Sequence, residues 1–253
     1  MLAVAAALGG CATVPETGRS QLILVSSSDV MRLSLSEFDK IKRATPISND
    51  AAQKALVERV GRRIAAVAPL PNAKWEFVLF DKPDVQNAFA LPGGKVGVYS
   101  GLLQVTQNEA GLATVLAHEV AHAVARHGEE RISQGLVVQL GGQALEAAMK
   151  SKPEATQALA QAAFGLGGNV AYVLPHSRAQ ESEADRIGLT YMARAGYDPR
   201  EAVAFWKRFG GEKEKRGGKA VELLSTHPLD EKRIAQLESL MPQAVAEYQK
   251  AKP

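Results

Sequence analysis

Apolar and polar positions repeat with two different periods along this chain, and the periods predict where its helices and strands lie. From Asp50 to Val67 apolar residues recur at helical spacing, at Ala55, Leu56, Val60, Ile64 and Val67. Asp50 suits the N-cap of that helix, and Pro69 and Pro71 stop it. Trp75 to Phe80 changes to a period of two, with Trp75, Phe77 and Leu79 on one face of a strand and Val78 and Phe80 on the other. Asn87 to Leu91 and Lys95 to Tyr99 read as two more short strands, joined by the turn Pro92-Gly93-Gly94. A small antiparallel sheet is therefore expected before the next helix.

The helical period returns after Thr106. Thr106 and Glu109 form a capping-box pattern, and Gly128 suits the position just past the helix end. Arg131 to Gly165 reads as one or two Ala-rich helices, broken at Gly141-Gly142 and Lys152-Pro153. Ser177 and Gln180 form another capping box, for a helix that Gly196 ends. Asp198-Pro199 starts the next, with Asp as N-cap and Pro in the first turn. A last helix is expected from Asp230 to Leu240. The class is α+β, mostly helical, with one small sheet.

Composition narrows the function only where it excludes. The 253 residues are 46% hydrophobic and 23% charged, which suits one globular domain with a core large enough to stand alone. The net charge of +3 is mild, and the basic run Lys213 to Lys219 is interrupted by Glu214, Gly217 and Gly218. No aromatic residue interleaves with it, so nucleic acid is dropped as a partner. The single cysteine, Cys11, allows no disulfide within the chain.

Cys11 closes a short apolar stretch, Met1 to Gly10, and the run Leu8-Gly9-Gly10-Cys11 looks like a bacterial lipobox. Ten apolar residues cannot span a bilayer, so a secretory signal is the better reading. A lipidated Cys11 would carry enough acyl chains for stable anchoring. The usual positive residues before the apolar stretch are missing, because Arg19 is the first basic residue. Residues 1–20 are thus read as lipoprotein signal and tether, mature from Cys11, and 21–253 as the working domain. Thr13 to Ser28 is expected to be tether. Ala12 after the cysteine implies sorting to the periplasmic face of the outer membrane.

The chemistry centres on His118-Glu119-Val120-Ala121-His122. Two histidines four apart on a helix lie about 40° apart around it and roughly 6 Å apart along it, so both rings can reach one ion. Zinc takes nitrogen and oxygen ligands in a tetrahedral shell, and a catalytic site keeps one position for water. Glu119, one step round, can serve as general base towards that water without taking a coordination place. His127 lies nine residues from His118, near the opposite face, and reads as a polar residue at a helix C-terminus. A third ligand belongs on another segment, where Glu181, Glu183 and Asp185 are candidates. Glu181 and Asp185 share a helix face, while Glu183 points roughly 160° away from them.

With Glu181-Ser182-Glu183-Ala184-Asp185 downstream, the histidine motif resembles metallopeptidase family forty-eight, the family of HtpX-like proteases and CAAX prenyl endopeptidases. Asn87 to Gly94, Ser177-Arg178 and Ser225-Thr226-His227-Pro228 resemble further segments of that family. The resemblance covers most of Gln21 to Leu240. It implies a gluzincin-type metallopeptidase domain with one Zn2+, held by His118, His122 and Glu181, with Asp185 bonded to a ligand histidine. It also implies a soluble, lipid-anchored bacterial branch concerned with quality control of envelope proteins, whose partners are unfolded or misfolded polypeptides.

On that footing the edge formed by Asn87, Ala88, Phe89 and Ala90 is expected to bind substrate as an added strand. His227 has three open readings: a group that stabilises the developing oxyanion, a latch on the open zinc position, or a cap before the last helix. The segment 131–165 is read as a lid over the cleft. A latched or chaperone-like binding protein on the same fold is the alternative to an active enzyme. The retained Glu119 favours the enzyme.

Overall fold

The fold is built around one helix that is buried on every side. We describe it from a computed structural model, in which residues 10–137, 177–215, 223–224, 227 and 231–251 are described. The expected signal residues 1–9, most of the expected lid and the basic run from residue 216 lie outside them. Two strands open the order, β1 (Cys11–Thr13) and β2 (Ser20–Leu22), followed by helices α1 (Ser27–Ala44) and α2 (Ala51–Ala65). Then come β3 (Glu76–Phe80), β4 (Ala88–Leu91) and β5 (Lys95–Tyr99), and helices α3 (Ser100–Thr106) and α4 (Glu109–Val124). Residues 127–137 are helical and are called α5. Helices α6 (Arg178–Arg194), α7 (Arg200–Lys215) and α8 (Glu231–Ala251) complete the order. No helix among the described residues is long and apolar enough to cross a membrane.

The α+β class holds, but the main sheet is mixed. Its order is β3-β5-β4, with β4 antiparallel to β5 and β3 parallel to it. The expected hairpin is there; the correction is at β3, which pairs with β5 instead of extending an antiparallel meander. The burial of β5 explains this. Val96, Gly97 and Val98 are all buried, so both faces of that strand are covered and it takes the centre. The β4–β5 turn puts Gly93 at φ 86° and Gly94 at φ 82°, a conformation open to glycine and costly for other residues.

Each face of the sheet has its own cover. Leu79, Ala88, Val96 and Val98 join the main core with Val57, Val60 and Ile64 of α2 and the apolar residues of α4. Val78, Phe80 and Leu91 pack instead with Phe38 and Ile41 of α1. The sequence reading did not anticipate α1 or the short α3.

Two expected caps move. Asn108, not Thr106, starts α4: its side chain accepts from Gly111 N at 2.8 Å, while Thr106 Oγ1 turns back and donates to Leu103 O. At the other end Arg126, not Gly128, takes the left-handed position at φ 60°. Its guanidinium donates to Glu129, with Nε at 3.0 Å, and to Ser27 Oγ, which offsets the strain. The caps at Asp50, Ser177–Gln180 and Asp198 are those expected. Helix α8 runs past the expected stop at Leu240 and through Pro242. The carbonyl that this proline leaves without a donor belongs to Glu238, an exposed position where water can serve it.

The expected tether is a docked hairpin followed by a helix. Strands β1 and β2 pair antiparallel, Val14 N donates to Arg19 O at 2.9 Å, and Val14 is fully buried in the main core.

Helices α4 and α6 meet at Gly188, where an added Cβ would stand 3.1 Å from His118 N and 3.2 Å from His118 Cα. Those are backbone atoms and cannot swing aside. Gly188→Val is therefore expected to destabilise the protein by about 1–3 kcal/mol through overpacking. A fall in the urea midpoint at unchanged slope checks this; an unchanged midpoint would contradict the close helix contact.

Candidate metal centre

Helix α4 supplies His118, Glu119 and His122, and every residue from Gly111 to Val124 is buried. Helix α6 crosses it and supplies Glu181, Glu183 and Asp185, all buried too. Ligand atoms of His118, His122, Glu181 and His227 all lie within 4.8 Å of one another. The structure thus gathers the sequence-predicted ligands His118, His122 and Glu181 and adds His227 to them. Glu119 stands at the margin of the group, its Oε1 3.3 Å from His227 Nε2.

The outer hydrogen bonds decide how the rings face. His118 Nδ1 is 2.9 Å from Asp185 Oδ1, so its Nδ1–H donates to the carboxylate and Nε2 keeps a lone pair. His122 Nδ1 is 2.7 Å from His127 Nδ1, and His127 Nε2 is 2.9 Å from Glu183 Oε2. With His127 Nε2–H donating to Glu183, its Nδ1 accepts from His122 Nδ1–H. His122 Nε2 then keeps its lone pair as well. The two Nε2 atoms face each other at 3.0 Å. Two lone pairs at that separation repel unless a cation lies between them.

The placement of His127 corrects the sequence reading. That reading carried the α4 helix on to residue 127, but Arg126 reverses the chain and His127 opens α5. It is completely buried behind His122 rather than at the opposite face. Glu183 does point away from Glu181 and Asp185, as its spacing implied, and its target is His127.

Arg233 is the residue that spacing did not reveal. From α8 it donates through Nε and Nη2 to both oxygens of Asp185, at 2.7 and 2.8 Å. Its Nη1 lies 3.0 Å from Glu181 Oε2, and its guanidinium stacks 3.7 Å over the Trp206 ring. The available signal was its place one turn before Leu237 on the apolar stripe of α8.

The electrostatics favour a divalent cation. Burial alone would lower the basicity of His118, but the charge of Glu181 and the Asp185 bond override it and raise the ring to about 9. His122 goes the other way, since burial holds it well below the usual imidazole range. Burial raises the Glu119 carboxyl, partly offset by His227 and His118, which makes it a stronger base than an exposed glutamate. Glu181 stays well below the carboxylate range because the charges of His227 and His118 outweigh its burial. Burial likewise raises Asp185, and Arg233 more than reverses it. A field that draws a proton onto a buried imidazole accepts a metal dication in its place. Imidazole nitrogens with a carboxylate oxygen are the ligand chemistry that zinc takes.

Asn87, Ala88, Phe89 and Ala90 are not part of this cluster. Ala88, Phe89 and Ala90 lie on β4, the end strand of the sheet, which packs against α4, and Asn87 immediately precedes it. Cys11 is exposed and free at the start of β1.

The chain is similar to several curated metalloendopeptidases and proteases. The chain is 42% identical over 195 residues to the mitochondrial metalloendopeptidase OMA1 of Schizosaccharomyces pombe, covering 74% of this chain and 53% of that protein. It is 34% identical to the mitochondrial metalloendopeptidase OMA1 of Bos taurus, covering 91% of this chain and 46% of that one. It is 27% identical to the beta-barrel assembly-enhancing protease of Escherichia coli, covering 88% of this chain and 46% of that one. The chain thus spans about half the length of these curated relatives. The model of peptidase family M48 matches residues 51–241, a stretch that holds the paired histidines of α4, the acidic face of α6 and Arg233, and the chain belongs to that family.

Proposed function

We propose that this chain is a zinc-dependent endopeptidase in which His118, His122 and Glu181 hold the metal and Glu119 is the general base. The observation that carries the reading is the convergence of two imidazole lone pairs and a buried carboxylate on one point, with a basic-shifted carboxylate beside it. Bound there, zinc would acidify a water and polarise the scissile carbonyl. Glu119 takes the proton from the attacking water and passes it to the leaving amine. Its Oε1 is buried and accepts no hydrogen bond from the described residues, which leaves it available for that proton. Asp185, held by Arg233, keeps His118 in the tautomer that offers Nε2.

The substrates we infer are unfolded or misfolded polypeptides of the bacterial envelope, bound as an added strand along Asn87 to Ala90. The sheet topology supports this edge. Strand β5 is central, and the outer side of β3 is engaged by residues 46–48, where Ser48 N donates to Leu79 O at 2.8 Å and Ile47 bridges Phe80. That leaves β4 as the end strand, and it lies against the helix that carries the histidines. The name of the Escherichia coli relative refers to barrel assembly, which supports the envelope setting. The lipobox-like run and the exposure of Cys11 support an anchor at that residue, on the periplasmic face of the outer membrane.

Purified chain is expected to take up one zinc and to degrade casein. Glu119→Gln should retain the zinc and lose activity by roughly a hundred- to ten-thousand-fold, as removal of a general base does. Equal activity of the two, with zinc in both, would overturn the assignment of Glu119.

Of the readings of His227, the latch has a specific observation in its favour. His227 Nδ1 is 3.1 Å from His118 Nε2 and 2.9 Å from Glu181 Oε1, while its Nε2 faces Glu119. The ring therefore stands where the attacking water must be. A site closed about nine-tenths of the time loses about tenfold in apparent rate, so His227→Ala is expected to raise casein turnover by that order. A collapse in rate would assign His227 to the oxyanion instead.

A further inference from the structure

We propose that the N-terminal hairpin is a clamp on the metal centre, with Thr17 and Arg19 as positioning residues that act through Glu183 and His127 on the ring of His122. The inference rests on the reading of His122 as a zinc ligand.

The connection is continuous. Arg19, in the loop of the hairpin, donates from Nε to Glu183 Oε2 at 2.7 Å. Its Nη1 and Nη2 donate to the two oxygens of Glu130 on α5, at 2.8 and 2.9 Å. Thr17 Oγ1 donates to Glu183 Oε1. Both oxygens of Glu183 are therefore engaged by the hairpin, and Oε2 also accepts from His127 Nε2. Glu130 is held from its other side by Gln180 Nε2 at 2.7 Å. The hairpin is itself seated, by the buried Val14 and by Tyr191 OH donating to Glu16 Oε1 at 3.0 Å.

Glu183 without its clamp would be a carboxylate on three rotatable bonds, beside a second buried carboxylate, Glu130. The fork of Arg19 holds Glu130, its Nε and Thr17 Oγ1 hold the two oxygens of Glu183, and the one guanidinium pairs the charge of both carboxylates. A fixed Glu183 sets the tautomer of His127, and His127 sets which nitrogen of His122 faces the ion. Such outer partners of a ligand histidine carry ten- to hundredfold in metal affinity. Arg19 is set 164 residues from Glu183 in sequence, so nothing local explains the contact, and among the described residues it holds no part of the cluster directly.

The test is zinc affinity, measured on the full chain by competition with a chromogenic chelator, together with the visible absorption of the cobalt-substituted protein. Arg19→Gln is expected to weaken zinc binding by about tenfold and to shift the cobalt bands. His127→Phe should weaken it at least as much, and the double variant no more than His127→Phe alone, because the two lie on one path. Unchanged affinity and cobalt bands in Arg19→Gln would overturn the clamp. So would an equal loss in both backgrounds, since the hairpin would then act by another route. If Arg19→Gln fails to fold, Arg19→Lys keeps the charge without the fork and is judged by the same two readouts. Wild-type chain that takes up no zinc would overturn the metal centre itself, and the clamp with it.

Discussion

Three carboxylates and three imidazoles are buried together where α4, α6 and α8 meet, and the rest of the structure answers to that concentration of charge. Glu119, Glu181 and Asp185 are each nearly inaccessible to water. Burying them uncompensated would cost more than a domain of this size has to spare. Arg233 neutralises Asp185 through a forked pair and lies under Trp206, while Arg131, buried so that its own basicity falls to about 10, adds its field to Glu181 and Glu119. Two guanidinium groups do not balance three carboxylates. A proton on the raised His118 cancels the charge left over, and the divalent ion we propose would displace that proton, which would make the metal part of the folding thermodynamics as well as of the chemistry.

Much of this was legible in the sequence where the signal was local. The histidine spacing needs only the pitch of a helix, and Ser177 with Gln180 needs only one turn, so both were readable without a partner element. Strand alternation in Trp75 to Phe80 correctly divided the side chains between the two faces of the sheet. What could not be read depended on partners distant in the chain. Helix α1 is a cover for the second sheet face, and its apolar residues Phe38 and Ile41 acquire meaning only against Phe80 and Leu91. The parallel pairing of β3 with β5 was hidden because the intervening hairpin has the same local signature in either arrangement.

His127 shows the limit most clearly. Helical geometry is a sound guide until the helix ends, and here it ends at a non-glycine residue with positive φ, for which the sequence holds no distinctive mark. One residue of left-handed backbone turns a distant surface histidine into the neighbour of a proposed metal ligand. Arg233 was obscure for a different reason. A buried arginine looks like any other basic residue until its carboxylates are located on another helix.

The enclosure of α4 on all sides has a consequence for motion. A helix with one wet face can fray or open locally while the rest of a protein stays folded, and its amide protons then exchange with solvent in small steps. Helix α4 has no such face from Gly111 to Val124. Its amides are released only when the α2, α6 and sheet contacts separate together, so the amides of the histidine motif belong to the slow-exchanging part of the described residues. For the polypeptide substrate we propose, access would then depend on the elements around the helix rather than on opening of the helix that carries the two histidines.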